Sequence, residues 1–116
     1  TKKAAKIGKE NTIMSVTVHV TITTKEGCFD DFYALARSEL AFTRGFDGCH
    51  AVYTSSSKDT NTLKFIEIWD SEDAFDVYFT KRAERSGKDF AKLFEGPPTK
   101  ECFQTDNWGY GPDWKK

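Results

Sequence analysis

Residues 13–24 (IMSVTVHVTITT) alternate between apolar and polar positions with a period of two. Val16, Val18, Val20 and Ile22 fall on one face, and Thr17, His19, Thr21 and Thr23 on the other. β-Branched residues at this period predict a strand. Lys25-Glu26-Gly27 breaks it, and the period then changes. Phe29, Phe32, Leu35, Ala36 and Leu40 recur at helical spacing, which predicts a helix over residues 28–44. Asp30 and Asp31 suit the positive end of its dipole. Arg44-Gly45 marks the stop, with Gly45 expected in the left-handed C-terminal conformation.

Residues 48–58 (GCHAVYTSSSK) predict a second strand, 58–61 a turn and 62–69 (TLKFIEIW) a third strand. In the third, Leu63, Phe65, Glu67 and Trp69 share one face while Ile66 and Ile68 share the other. A sheet with one wet face does not carry large apolar groups on both sides, so something must cover each. Ser71 is an N-cap candidate with Glu72 and Asp73 behind it. The helix that follows turns Ala74, Phe75, Tyr78 and Phe79 inward. A break is expected at Ser86-Gly87, with helix resuming over residues 88–94 and ending at Gly96-Pro97-Pro98. Residues 99–106 (TKECFQTD) predict a fourth strand.

The order β-α-β-β-α-β is that of a ferredoxin-like α+β domain with an antiparallel sheet. Two helices cover one face of such a sheet, and the other face needs a partner. Residues 1–12 read as a loose arm, 13–106 as the domain and 107–116 as an aromatic tail.

Composition narrows the function classes. The 116 residues suffice for one domain. Seventeen basic residues against eighteen acidic ones give a net charge of −1, without the basic excess of a nucleic-acid-binding domain. Aromatic residues make up 15%, ten of them Phe, which favours an oligomer interface or a ligand cavity. Cys28, Cys49 and Cys102 form no CxxC pair and leave an odd count, against a disulfide framework and in keeping with a reducing, cytoplasmic setting. They read as small core residues. His19 and His50 lack metal-ligand spacing, so no metal site is expected. No apolar run nears the ~20 residues that span a bilayer, so no membrane partner is expected either.

Several runs resemble one family. They are Lys25-Glu26-Gly27, Thr43-Arg44-Gly45-Phe46-Asp47-Gly48-Cys49, Glu67-Ile68-Trp69-Asp70-Ser71-Glu72-Asp73-Ala74 and Gly96-Pro97-Pro98. Together they resemble the antibiotic biosynthesis monooxygenase domain, a dimeric α+β barrel, over residues 15–106. The resemblance implies a homodimer packed sheet to sheet and a pocket in each subunit between sheet and helices. It implies oxygenation of a small aromatic or quinol-type compound without cofactor. Other members degrade haem or isomerise small sugars. The polyketide-oxygenating branch places an Asn four residues before the Trp, where this chain has Phe65, and a Tyr where it has Phe75. The haem-degrading branch places an Asn in strand one and a His downstream, and this chain has neither.

Three residues are therefore candidates for chemistry. Glu67 lies between two aromatics on an inward face, where a raised pKa would suit a general base. Its alternative is a structural carboxylate satisfied by backbone N–H groups or by an Arg such as Arg37 or Arg44. Trp69 is either a pocket residue or the core anchor under the second helix. Tyr78 either orients a substrate oxygen or packs with its hydroxyl toward water. Phe65, Phe75, Phe79, Phe90 and Phe94 are expected to line the pocket or the core beside it. The rival functions are a non-catalytic small-molecule-binding dimer and an isomerase or detoxifier of a reactive metabolite.

Overall fold

The computed structural model describes residues 15–106 and Trp108. The expected arm, residues 13 and 14 of the expected first strand, and the rest of the tail lie outside these. The elements are β1 (Val16–Thr23), α1 (Phe29–Arg44), β2 (Cys49–Ser57), β3 (Thr62–Trp69), α2 (Glu72–Ala91) and β4 (Thr99–Gln104). The strands form one antiparallel sheet in the order β2-β3-β1-β4. This is the expected ferredoxin-like α+β arrangement.

Register decides which side chains meet. Val18 pairs with Glu67, Val20 with Phe65 and Ile22 with Leu63. All six are buried, and they carpet the face beneath the two helices. The intervening pairs, Thr17 with Ile68 and His19 with Ile66, point to the far face. Across the covered face, Phe32 of α1 meets Phe90 and Phe94 edge-on, with ring centroids 5.5 and 5.0 Å away. Trp69 is fully buried, tilted over Tyr78 at 5.0 Å and edge-on to Phe75 at 5.8 Å. Such contacts add to the burial of large apolar surface that drives the core together.

Local chemistry sets the boundaries. The Ser71 hydroxyl accepts a hydrogen bond from the Ala74 N–H at 3.1 Å and so caps α2 as expected. Between β2 and β3, Lys58–Thr60 form a single 3-10 turn closed by Asn61 at φ 54°. After α2 the chain is pinned to the end of β1. Lys25 N–H donates to the Leu93 carbonyl and Glu95 N–H to the Thr23 carbonyl, each at 2.8 Å.

Three expectations need correction. α2 runs unbroken through Ser86-Gly87 and ends at Ala91, short of Phe94, which instead forms an isolated bridge to Thr24. Gly45 ends α1 in right-handed geometry at φ −89°, and the positive φ falls three residues later, at Gly48 (φ 92°). β4 stops at Gln104, two residues early. One feature is new. A bulge between Cys49 and Ala51 sets His50 outside the ladder, so Cys49 pairs with Trp69 and Val52 with Glu67.

Candidate functional site

A cavity of about 450 Å³ lies between the sheet and the helices. The sheet contributes Ile22, Phe65 and Glu67. α1 contributes Phe32, Leu40 and Thr43, and α2 contributes Phe79, Arg82, Gly87 and Phe90. Phe94, Pro97 and Pro98 close one side. The volume falls in the range of small-molecule pockets, and the walls are mostly apolar with a few convergent polar groups.

Glu67 reaches this cavity because period-two alternation and pairing with Val18 and Val52 aim it at the helices. It is 4% exposed. Its described hydrogen bond comes from the Trp69 indole, whose Nε1–H donates to Oε1 at 2.9 Å. Burial raises the carboxyl from 4.5 to about 7, against the opposing pull of the indole bond and the Arg82 charge. Arg37 and Arg44 do not pair with it. The Arg44 guanidinium donates to the Val52 carbonyl at 3.0 Å, and Arg37 is exposed.

Of the eight side chains singled out in the sequence, Glu67, Phe65, Phe79, Phe90 and Phe94 line the cavity. Trp69, Phe75 and Tyr78 stand in the layer behind it, all buried. Phe79 is 40% exposed and forms part of the rim. The Tyr78 hydroxyl shares a 2.7 Å hydrogen bond with the Thr43 hydroxyl. Burial raises its pKa, opposed by its bonds to Thr43 and Arg82. His19 sits on the far face, edge-on to Phe103 at 5.5 Å. His50 is exposed and bonded to the Asp70 carboxylate. Burial, with Glu67 nearby, pushes the Cys49 thiol up to about 11, the wrong direction for a nucleophile. Among the described residues no group of three or more His, Cys, Asp or Glu could hold a metal.

Sequence reasoning missed Arg82, Glu39 and Thr43. Arg82 is 8% exposed. Its Nε–H donates to the Tyr78 hydroxyl at 3.1 Å and Nη1 to Glu39 Oε1 at 2.7 Å. Nη2 donates to the Glu39 carbonyl at 3.0 Å and to the Thr43 hydroxyl at 2.7 Å. The signal was present in the spacing. Arg82 falls four residues after Tyr78 and seven after Phe75, on the apolar stripe of α2, where an unpaired charge would be untenable.

Comparison with known proteins identifies the family and the fold. The family model described as antibiotic biosynthesis monooxygenase matches residues 15–84. A search of curated proteins found no match. Among solved structures, a monooxygenase from Streptomyces coelicolor, product of ActVA-Orf6 and solved with nanaomycin D, superposes with a TM-score of 0.65 at 19% identity. The match covers 81% of this chain and 89% of that one. A Nitrosomonas europaea protein of unknown function gives 0.69 at 16% identity, covering 80% and 90%. One from Shewanella oneidensis gives 0.68 at 22%, covering 81% and 93%. At these identities the superpositions show a shared fold. In the described residues no helix is long and apolar enough to cross a membrane.

Proposed function

Because the chain belongs to the antibiotic biosynthesis monooxygenase family, we propose that it is a cofactor-independent monooxygenase acting on a small aromatic or quinol-type compound held in the cavity beside Glu67. The observation that carries this reading is a carboxyl raised to about 7 in the wall of an aromatic cavity of about 450 Å³. A base serves best when its pKa lies near the working pH.

In this reading Glu67 removes the phenolic proton, which leaves an electron-rich anion able to pass an electron to O₂. For a phenol with a free ring C–H opposite the hydroxyl, one oxygen atom enters as the new quinone carbonyl. The other leaves as water with the ring hydrogen and the phenolic hydrogen. The substrate supplies all four electrons, and no separate reductant enters. Trp69 is a positioning residue, because its indole N–H fixes the carboxylate. Tyr78 positions Arg82 through its hydroxyl. Phe65, Phe79, Phe90 and Phe94 hold the ring system, and Phe75 backs Trp69. The protein works as a homodimer that packs far face to far face, where Tyr53 (56% exposed) and Phe103 (53%) stand in solvent. Three free cysteines suit a reducing, cytoplasmic setting.

An oxygen electrode with a panel of naphthols and dihydroxynaphthalenes tests the reaction. Wild-type protein is expected to consume oxygen, and Glu67→Gln to slow it at least tenfold. Equal rates would remove Glu67 from the mechanism. One observation favours a second reading, a non-catalytic binder. Phe65 occupies the cavity wall where oxygenating relatives are expected to carry an amide. Quenching of Trp fluorescence by the same compounds without oxygen uptake would select that reading.

A further inference from the structure

The polar groups of the cavity are unevenly used. Arg82 has five N–H donors, and four are engaged, by Tyr78, the Glu39 carboxylate, the Glu39 carbonyl and Thr43. One hydrogen on Nη1 has no acceptor among the described residues. The Thr43 and Tyr78 hydroxyls both accept from Arg82 and share one bond with each other. Two hydroxyl hydrogens thus serve a single bond, and the other is also unused. Both hydroxyls are buried, and Thr43 and Arg82 line the cavity. Charge is uneven too. The single Glu39 carboxylate faces both Arg82, at 2.7 Å, and Arg85, at 3.0 Å. At this cluster two positive charges answer one carboxylate, and the second carboxyl that feels Arg82, Glu67, is held toward its neutral form by burial. Around this point the surfaces are aromatic. The Arg82 guanidinium lies 4.8 Å from the Phe42 ring centroid and 5.5 Å from that of Phe90. An excess of donors and of positive charge in a largely buried wall favours an acceptor that carries negative charge.

We propose that Arg82, with Thr43, is the anion-holding end of the cavity, and that its ligand is a flat apolar compound with one acidic hydroxyl, bound as its aryloxide. This rests on the reading of the cavity as a phenol-oxidising site and names the form in which the phenol binds. Proton balance is internal. The aryl O–H bond breaks, the proton passes to the Glu67 carboxylate, and the oxyanion keeps the electron pair against the unused donors. Arg85 is half exposed, lies outside the cavity lining and meets this cluster through Glu39 and the Phe42 ring, so it sets charge without touching the ligand. The other titratable groups facing Arg82 are Glu39 of α1, Tyr78 of α2 and Glu67 of β3.

The test is spectroscopic and separate from turnover. 4-Nitro-1-naphthol absorbs at different wavelengths as phenol and as phenolate. Titrated with pH in the presence of saturating protein under argon, it should show a bound pKa at least one unit below its free value, a tenfold preference for the anion. Glu39→Gln with Arg82→Gln removes the ion pair as a unit, which spares the fold an unpaired buried charge, and should abolish the shift. Arg82→Lys keeps the charge without the fork and should restore part of it. An unshifted pKa on wild-type protein, a shift that survives the double variant, or no binding of the naphthol would each overturn the proposal. So would tighter binding of 1-naphthoate, a ready-made anion that needs no base. Oxygen uptake is scored independently: a shifted pKa without uptake keeps this inference and removes the oxygenase reading, and uptake with an unshifted pKa does the reverse.

Discussion

Moving Glu67 from water into the cavity wall disfavours its charged form, and the Trp69 indole bond offsets only part of that cost. Two consequences follow at this one residue. In the unfolded chain the carboxyl ionises near 4.5, and in the folded chain near 7. Between those values the folded state holds the extra proton, so stability falls as pH rises through the window and levels off above 7. The loss is on the order of 3 kcal/mol at most. Glu67→Gln keeps an acceptor for the indole and cannot ionise. It should match wild type in urea denaturation at pH 4.5 and exceed it at pH 8, and equal midpoints at pH 8 would contradict the raised pKa. Any activity that uses Glu67 as base should rise with pH around the same midpoint. Trp69→Phe removes a bond that favours the carboxylate, so that midpoint should move upward; a downward move would show that the indole does not act through Glu67. Glu67 was legible in the sequence because strand alternation alone fixes its facing. For Arg82 only the inward position was legible, from its spacing on α2; its partners were not, because Glu39 and Thr43 come from the other helix, 43 and 39 positions away.

At the scale of elements, β3 is the clearest case of a segment that specifies itself. Its alternation gives both its bounds, 62–69, and its two faces. α2 is the opposite case. In the sequence Ser86-Gly87 reads as a break, since Gly costs a helix interior about 1 kcal/mol relative to Ala. Packing overrides that local preference. The helix carries Phe90 to Phe32, and a break at Gly87 would forfeit that contact. The bulge at His50 was equally hidden, because one extra residue leaves no mark on a strand pattern that already tolerates His and Ala. These two elements make contrasting predictions. A methyl at Gly87 would meet only the Ala83 side chain, at 3.5 Å, an ordinary contact. Gly87→Ala should therefore raise stability by roughly 0.5–1 kcal/mol, seen as a higher midpoint in thermal denaturation. It should also weaken binding of the larger naphthols, because Gly87 lines the cavity. Gly48→Ala should destabilise by about 1–3 kcal/mol. Its φ of 92° suits glycine, and the added carbon would lie 3.0 Å from the Ala74 side chain. A stable Gly48→Ala protein would mean that the β2 entry can relax.

For the whole molecule, the far face of the sheet is the feature that bears on assembly. His19, Tyr53, Ile66, Ile68 and Phe103 line a shallow groove of about 390 Å³ there, with Thr17, Gln104, Thr105 and Asp106 along it. Ile68 is already buried within one subunit, while Tyr53 and Phe103 stand more than half in solvent. Large exposed aromatic side chains gathered around one groove, rimmed by polar residues, are the kind of surface that marks an interaction site. A second copy offers the same surface in return, so a two-fold arrangement would be self-complementary. The central strands β1 and β3 supply the middle of that surface, and β2 and β4 its margins. The cavity opens on the other side of the sheet, so a dimer formed through the far face would leave the cavity free. That separation makes the dimer testable without touching the site. Tyr53→Glu with Phe103→Glu changes only side chains that one subunit leaves largely exposed, so its cost to the isolated subunit should stay near ~0.5 kcal/mol per position. Across a two-fold interface the same changes bury four carboxylates without partners, a far larger penalty. Sedimentation at micromolar concentration should then give a dimer for wild type and a folded monomer for the double variant. A wild-type monomer would leave the far face without the twin that its aromatic residues call for, and an unchanged dimer in the variant would place the interface elsewhere.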